Sequence, residues 1–195
     1  MKIKRPESKQ PIPPDAKRVF KGVVFDVYQW EQEMFDGTKE TFEKLKRPDT
    51  VTIFPVLNDG KILCIKEEQP GSVLTIAIPG GRVDEGEDVV AAAKRELSEE
   101  SGYEAEEFIL WDAQHPVRKV DWVIYTFIAK GLKKVANPKS DAGEKINFLP
   151  VSFEELMEIT TKDGFSERTT AIKFIEAKYN KNKNKELQKL FKPMN

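Results

Sequence analysis

Glu96, Glu99 and Glu100 are the side chains of this sequence whose type and spacing offer chemistry most directly. They fall in GGRVDEGEDVVAAAKRELSEESGY, residues 80–103, where a glycine-rich turn runs into a stretch of good helix formers. The composition predicts a helix over EDVVAAAKRELSEES from Glu87, with Gly102 as its stop. At about 100° per residue, Glu96, Glu99 and Glu100 stand at i, i+3 and i+4 and project to one side. Val89, Val90, Ala93 and Leu97 fall on the other side, free to pack inward. Glu87 and Asp88, in the first turn, complement the positive end of the helix dipole. The later glutamates oppose it, and like charges four apart cost roughly 0.2–0.5 kcal/mol per pair. A helix that keeps them either leaves them in water or offers them to a cation. Mg²⁺ and similar hard ions take such oxygen ligands and retain several waters or phosphate oxygens.

The rest of the chain must position that helix. RVFKGVVFDVYQWEQEMF alternates as a strand pair, Asp36-Gly37 is a turn signal, and TKETFEKLKR makes a return strand. TVTIFPVL and KILCIKEE flank Asn58-Asp59-Gly60 and read as a hairpin, and the short strand SVLTIAIP delivers the chain to Gly80. Beyond the helix, EEFILWDA and VDWVIYTFIAK read as strands joined through residues 114–119, and INFLPV as a last strand after a polar loop. SFEELMEITT and SERTTAIKFIEAKYN read as helices, with Ser152 and Ser166 as N-caps and Glu155 completing a capping box. Strands, helix, strands and terminal helices together predict an α/β fold with a mixed sheet and helices on its faces.

Residues 1–16 are rich in proline and lysine and read as a flexible arm, and 181–195 as a basic, solvated tail. Between them, 17–48 read as an N-terminal β extension and 49–180 as the main domain. With 32 Lys plus Arg against 33 Asp plus Glu, the formal charge of −1 gives no global field for nucleic acid or a membrane surface. No apolar run reaches the roughly 20 residues of a membrane span, and the N-terminus lacks an apolar signal core, so a cytoplasmic protein is expected. The single Cys64 lies in an apolar run and reads as a packed thiol. The one histidine, His115, has no sequence tie to it, which disfavours a Cys-His or Ser-His mechanism.

Gly81, Glu87, Arg95, Glu96, Leu97, Glu99, Glu100, Gly102 and Tyr103 together resemble the signature of the Nudix hydrolases, G-x5-E-x7-R-E-U-x-E-E-x-G-U. Tyr103 is an aromatic where an aliphatic is usual. The resemblance is sharp here and looser over about Val19 to Lys178. It implies an α/β/α sandwich with a mixed sheet and Mg²⁺, or Mn²⁺, bound by Glu96, Glu99, Glu100 and the Gly80 carbonyl. It implies catalytic roles for Glu99 and Glu100, and an orienting role for Arg95, whose fork would hold Glu87 bidentately.

The flanking pattern is similar to the ADP-ribose pyrophosphatase branch, which implies hydrolysis of ADP-ribose to AMP and ribose 5-phosphate and a homodimer built with the N-terminal strands. On that reading Tyr28 or Trp30 stacks the base, Glu43 lies near it, and Arg118 with Lys119 contacts phosphate. Glu144, ahead of Asp141, is the candidate base in the late loop. The chain departs from the branch at Gln69-Pro70, where an arginine is common, and at Val117 and Arg118 after Pro116, where glycine is. Another nucleoside diphosphate sugar or a dinucleoside polyphosphate is the alternative substrate, and a nucleotide-sensing module without turnover is the alternative class. An RNA-binding role for the lysine tail is disfavoured, with only Phe191 as an aromatic in it.

Overall fold

A computed structural model describes residues 3–68, 70–138 and 145–194. The central layer is a four-stranded mixed sheet in the order β7-β4-β10-β8, formed by Gly80–Arg82, Thr50–Pro55, Ile124–Lys134 and Tyr103–Gln114. β4 and β10 run parallel, and the other two pairings are antiparallel. A second sheet, β11-β5-β6, is built from Lys145–Val151, Ile62–Glu68 and Thr75–Ala77. The third, β1-β2-β3-β9, joins Lys17–Lys21, Asp26–Glu33 and Lys39–Lys46 to the two-residue strand Val120–Asp121. This is the expected α/β sandwich with an N-terminal β extension.

The period of two along β4 divides the core. Val51 and Ile53 face one way and pack with Ala92, Ala93 and Leu97 of helix α1, Val89–Ser101. Thr52 and Phe54 alternate with them, and Phe54 joins the opposite cluster with Ile128, Leu156, Phe174 and Phe191. That cluster is roofed by three helices, α2 at Phe153–Ile159, α3 at Arg168–Tyr179 and α4 at Lys181–Leu190. Phe54, Trp111, Phe174 and Phe191 form its aromatic centre, with ring centroids 5.5–5.9 Å apart in edge-on or tilted packings.

Several expectations are corrected. The Asn58-Asp59-Gly60 turn forms, but past the Val56–Ile62 bridge and the Leu57 N–H bond to the Lys61 carbonyl the strands it joins separate into two sheets. β4 is claimed instead by β10 and β7, because both of its faces are apolar and need covering on both sides. The C-terminal stretch read as a solvated tail is helix α4, started by the Asn180 side chain and pinned by buried Leu187 and Phe191. Its lysines mask two anchors spaced four apart. The arm lies against the domain from Arg5 to Gln10. Arg5 pairs with Asp49 at 2.7 Å and Asp121 at 3.1 Å, and buried Lys44 donates to Ser8 Oγ at 2.9 Å and to the Gln10 carbonyl. Cys64 is fully buried, and burial pushes its thiol up to about 12, so it stays protonated.

Candidate active site

Helix α1 begins one residue after Asp88, whose carboxylate accepts from the Val90 and Ala91 N–H groups. It ends at Gly102, which takes the left-handed conformation (φ 73°) that a side chain would resist. Its apolar side is fixed against β4, so the acidic side is turned to the β7 glycine turn. Glu87 stands just outside the helix. Arg95 grips it bidentately, Nε to Oε1 at 3.0 Å and Nη2 to Oε2 at 2.9 Å, and also donates to the Arg82 carbonyl at 2.9 Å. These bonds tie the turn to the second turn of the helix, as the fork geometry of arginine allows. The Glu87 contact holds the Arg95 guanidinium firmly charged, and Arg95 holds the Glu87 carboxyl below its ordinary range.

Nη1 of the same arginine reaches Glu96 Oε1 at 2.7 Å and Glu99 Oε2 at 3.2 Å. Glu96 lies deeper than Glu99, with its side chain 12 % exposed against 50 %. Burial raises the Glu96 carboxyl above its ordinary range, outweighing the opposing pull of Arg95. The carboxylate lies over the Cα of Gly81, where a Cβ would collide with it. Glycine at 81 is therefore what lets an acid close on the turn. Glu100 accepts from the Gly80 N–H at 3.1 Å.

Chemically this is a set of hard oxygen donors beside a glycine cradle, which suits a divalent ion that keeps much of its water. Among the described residues no three acidic, histidine or cysteine side chains stand grouped to hold a metal ion. Glu96 and Glu99 lean on Arg95, and Glu100 on a backbone N–H.

Gly80, Gly81 and Glu100 form one wall of a cavity of about 610 Å³. The rest of its lining comes from distant parts of the chain: Thr50 and Thr52 of β4, which pair with Arg82 and Gly80, together with Glu67, Pro116, Trp122, and Ser166 to Thr169 at the start of α3. Trp122 donates to Thr50 Oγ1 at 3.0 Å, and the Arg47 guanidinium sits 4.4 Å from its ring centroid. Glu167 is, with Glu67, an acid of this part of the lining. Thr52 Oγ1 and Ser166 Oγ each donate to it at 3.3 Å, and burial holds its carboxyl above the ordinary range. Ser166 is not the N-cap of α3. Glu167 takes that position, and its side chain makes no capping bond.

The other expected residues lie elsewhere in the single chain. Trp30 is buried on β2 against Phe42, with its indole N–H directed to Gln32. Glu43 accepts from Gln29 across the β2–β3 pair at 2.8 Å. Tyr28 borders clefts between the arm and the N-terminal sheet, and Arg118 borders one with residues 7–10 and His115. Lys119 lies over the Phe42 ring. His115 Nε2 is 3.2 Å from the Pro6 carbonyl, a loop contact. None of Tyr28, Trp30, Glu43 and Arg118 lines the cavity beside Gly80. Asp141, Glu144 and Gln69 lie outside the described residues. Sequence reasoning missed Glu167 and Trp122. The one available signal was an acid directly before a helix, which reads as ordinary dipole complementarity.

Comparison with known proteins adds to this geometry. The NUDIX domain family model matches residues 46–171. A methanol dehydrogenase activator of Bacillus methanolicus is 28% identical over 161 residues, covering 80% of this chain and 86% of that protein. An ADP-ribose pyrophosphatase of Bacillus subtilis (strain 168) is 29% identical over 164 residues, 83% of this chain and 81% of that protein. A solved structure described as an ADP compounds hydrolase superposes with a TM-score of 0.70 at 21% identity, over 91% of this chain and 97% of that one.

Proposed function

The chain belongs to the Nudix hydrolases, and from that premise we propose that it cleaves the diphosphate linkage of a nucleoside diphosphate sugar, with ADP-ribose giving AMP and ribose 5-phosphate. The observation that carries this reading is the acidic set beside the glycine turn, of which Glu100 lines a cavity large enough for a nucleotide. The Bacillus subtilis pyrophosphatase supports the choice of substrate.

In this reading Glu96, Glu99, Glu100 and the Gly80 carbonyl hold Mg²⁺ or Mn²⁺, which when bound screens the phosphate oxygens and eases deprotonation of a bound water. The chain's own residues supply the positioning. Arg95 and Glu87 fix the turn, the buried apolar side of α1 prevents the helix from rolling, and Gly81 admits Glu96 to the turn. Glu144 remains the candidate base. The N-terminal sheet, which exposes Val19, Phe20 and Val23, is taken as the homodimer surface, where Tyr28 and Glu43 would meet a partner's nucleotide. Among the described residues no helix is long and apolar enough to cross a membrane, and a cytoplasmic setting with a single protonated thiol completes the reading.

Purified protein incubated with ADP-ribose and Mg²⁺ is expected to release AMP and ribose 5-phosphate. No AMP in that assay would overturn the substrate, while AMP-containing products from another member of a nucleotide panel would redirect it.

A further inference from the structure

Beyond Glu100, the cavity lining holds two acids that the box chemistry does not use, Glu67 and Glu167. Glu167 stands at the N-terminus of α3, where a carboxylate ordinarily bends back to cap its helix. Instead it reaches to Thr52 on β4, the strand partner of Gly80, and both residues line the same cavity as Gly80 and Glu100. Among the described residues its hydrogen-bond partners are hydroxyl groups, Thr52 Oγ1 and Ser166 Oγ, each at a long 3.3 Å. A carboxylate offers about four acceptor positions, so two long bonds leave it with capacity toward the cavity.

Its charge limits what it can face. A diphosphate held near Glu100 is anionic, and an acid without an ion pair of its own repels it at short range. Arg168, the adjacent cation, also lines the cavity but is engaged with Asp163 at 3.2 Å. The part of the proposed substrate that a carboxylate attracts is the sugar, whose neighbouring hydroxyls are donors. Paired acidic acceptor and sugar diol is a general means of ribose recognition.

We infer that Glu167 is a specificity-determining residue that accepts hydrogen bonds from the sugar hydroxyls next to the diphosphate, with Thr52 and Ser166 fixing its carboxylate. This rests on the nucleotide-sugar reading of the same cavity. It explains why a polar threonine occupies the buried position on β4 between Val51 and Ile53, where an aliphatic residue would otherwise pack. It also explains why the N-cap leaves its own helix unsatisfied.

Titration calorimetry of the full chain with Mg²⁺ separates this assignment from the substrate reading. Ribose 5-phosphate is expected to bind more tightly than 2-deoxyribose 5-phosphate by roughly 10- to 100-fold, the range of a charged hydrogen bond. Glu167→Gln and Glu167→Ala should both reduce that preference, Ala the more, and Glu167→Asp should restore part of it. Thr52→Val, which removes one support, should reduce it less than Glu167→Ala does. An unchanged preference in Glu167→Ala, or none in the wild type, overturns the assignment. A wild-type preference abolished in Glu167→Ala, with no AMP released from ADP-ribose, supports the assignment and sinks the ADP-ribose reading alone.

Discussion

The two walls of the cavity are built in opposite ways. The wall of Gly80, Gly81 and Glu100 comes from one short stretch, and its side-chain bonds, Arg95 to Glu87 and Glu100 to the Gly80 N–H, link residues no more than twenty apart. The wall of Thr52, Trp122 and Glu167 is assembled from three distant segments, and the Thr52–Glu167 contact spans 115 positions. The first wall carries charge and can be altered without disturbing the core. The second depends on α3 being seated on the sheet by Phe174, and on α4 behind it contributing Leu187 and Phe191. Reaction is thus placed on a local device, and discrimination on a long-range one.

The largest expected effect tests the first wall. Glu100→Gln keeps the shape and removes the charge, and should lower kcat/KM by on the order of 10²–10³-fold, with the melting temperature little changed. Retained activity in a steady-state assay would mean that the local wall does not carry the reaction. Phe191→Ala tests the second wall through its support. It opens a cavity beside Phe54, Trp111 and Phe174 and should cost about 3–5 kcal/mol in urea unfolding. A loss under about 1 kcal/mol would return the C-terminal segment to the status of a solvated tail.

The smallest effect distinguishes the walls by pH. Burial raises the Glu167 carboxyl, so the folded state favours its protonated form. The stability it contributes is present below the ordinary glutamate value of about 4.3 and is lost as pH rises through the raised folded value. Glu167→Gln, neutral at every pH, should therefore melt higher than the wild type at neutral pH, with the gap closing on acidification. Glu100→Gln serves as the reference in the same thermal scans. A gap independent of pH would show that Glu167 ionises freely and that its wall is open to water.

Much of the first wall is legible in the residues. Gly81 and Gly102 mark the two ends, the i, i+3, i+4 spacing puts Glu96, Glu99 and Glu100 on one side, and the reach of arginine fits Glu87. The existence of most strands and helices also follows from alternation and capping, as with the Ser152–Glu155 box, whose two bonds are at 3.2 Å and 2.7 Å. Pairing does not follow. The Asn58-Asp59-Gly60 turn looked sufficient for a hairpin, yet β4 found better partners in β10 and β7. Local turn geometry competes there with burial of two apolar faces, and burial wins by its larger area.

The same limit applies at both ends of the chain. Lysine-rich segments register as solvated because charge dominates their composition, but the arm docks through Arg5 and the Lys44 bonds to Ser8 and Gln10, and the tail through Leu187 and Phe191. The sequence by itself determined the reaction wall, since helix periodicity and short-range side-chain reach act over a few turns. Only the tertiary structure decided that Glu167 turns from its helix to Thr52, because that contact exists only after β4 and α3 have been packed together by a core drawn from the whole chain.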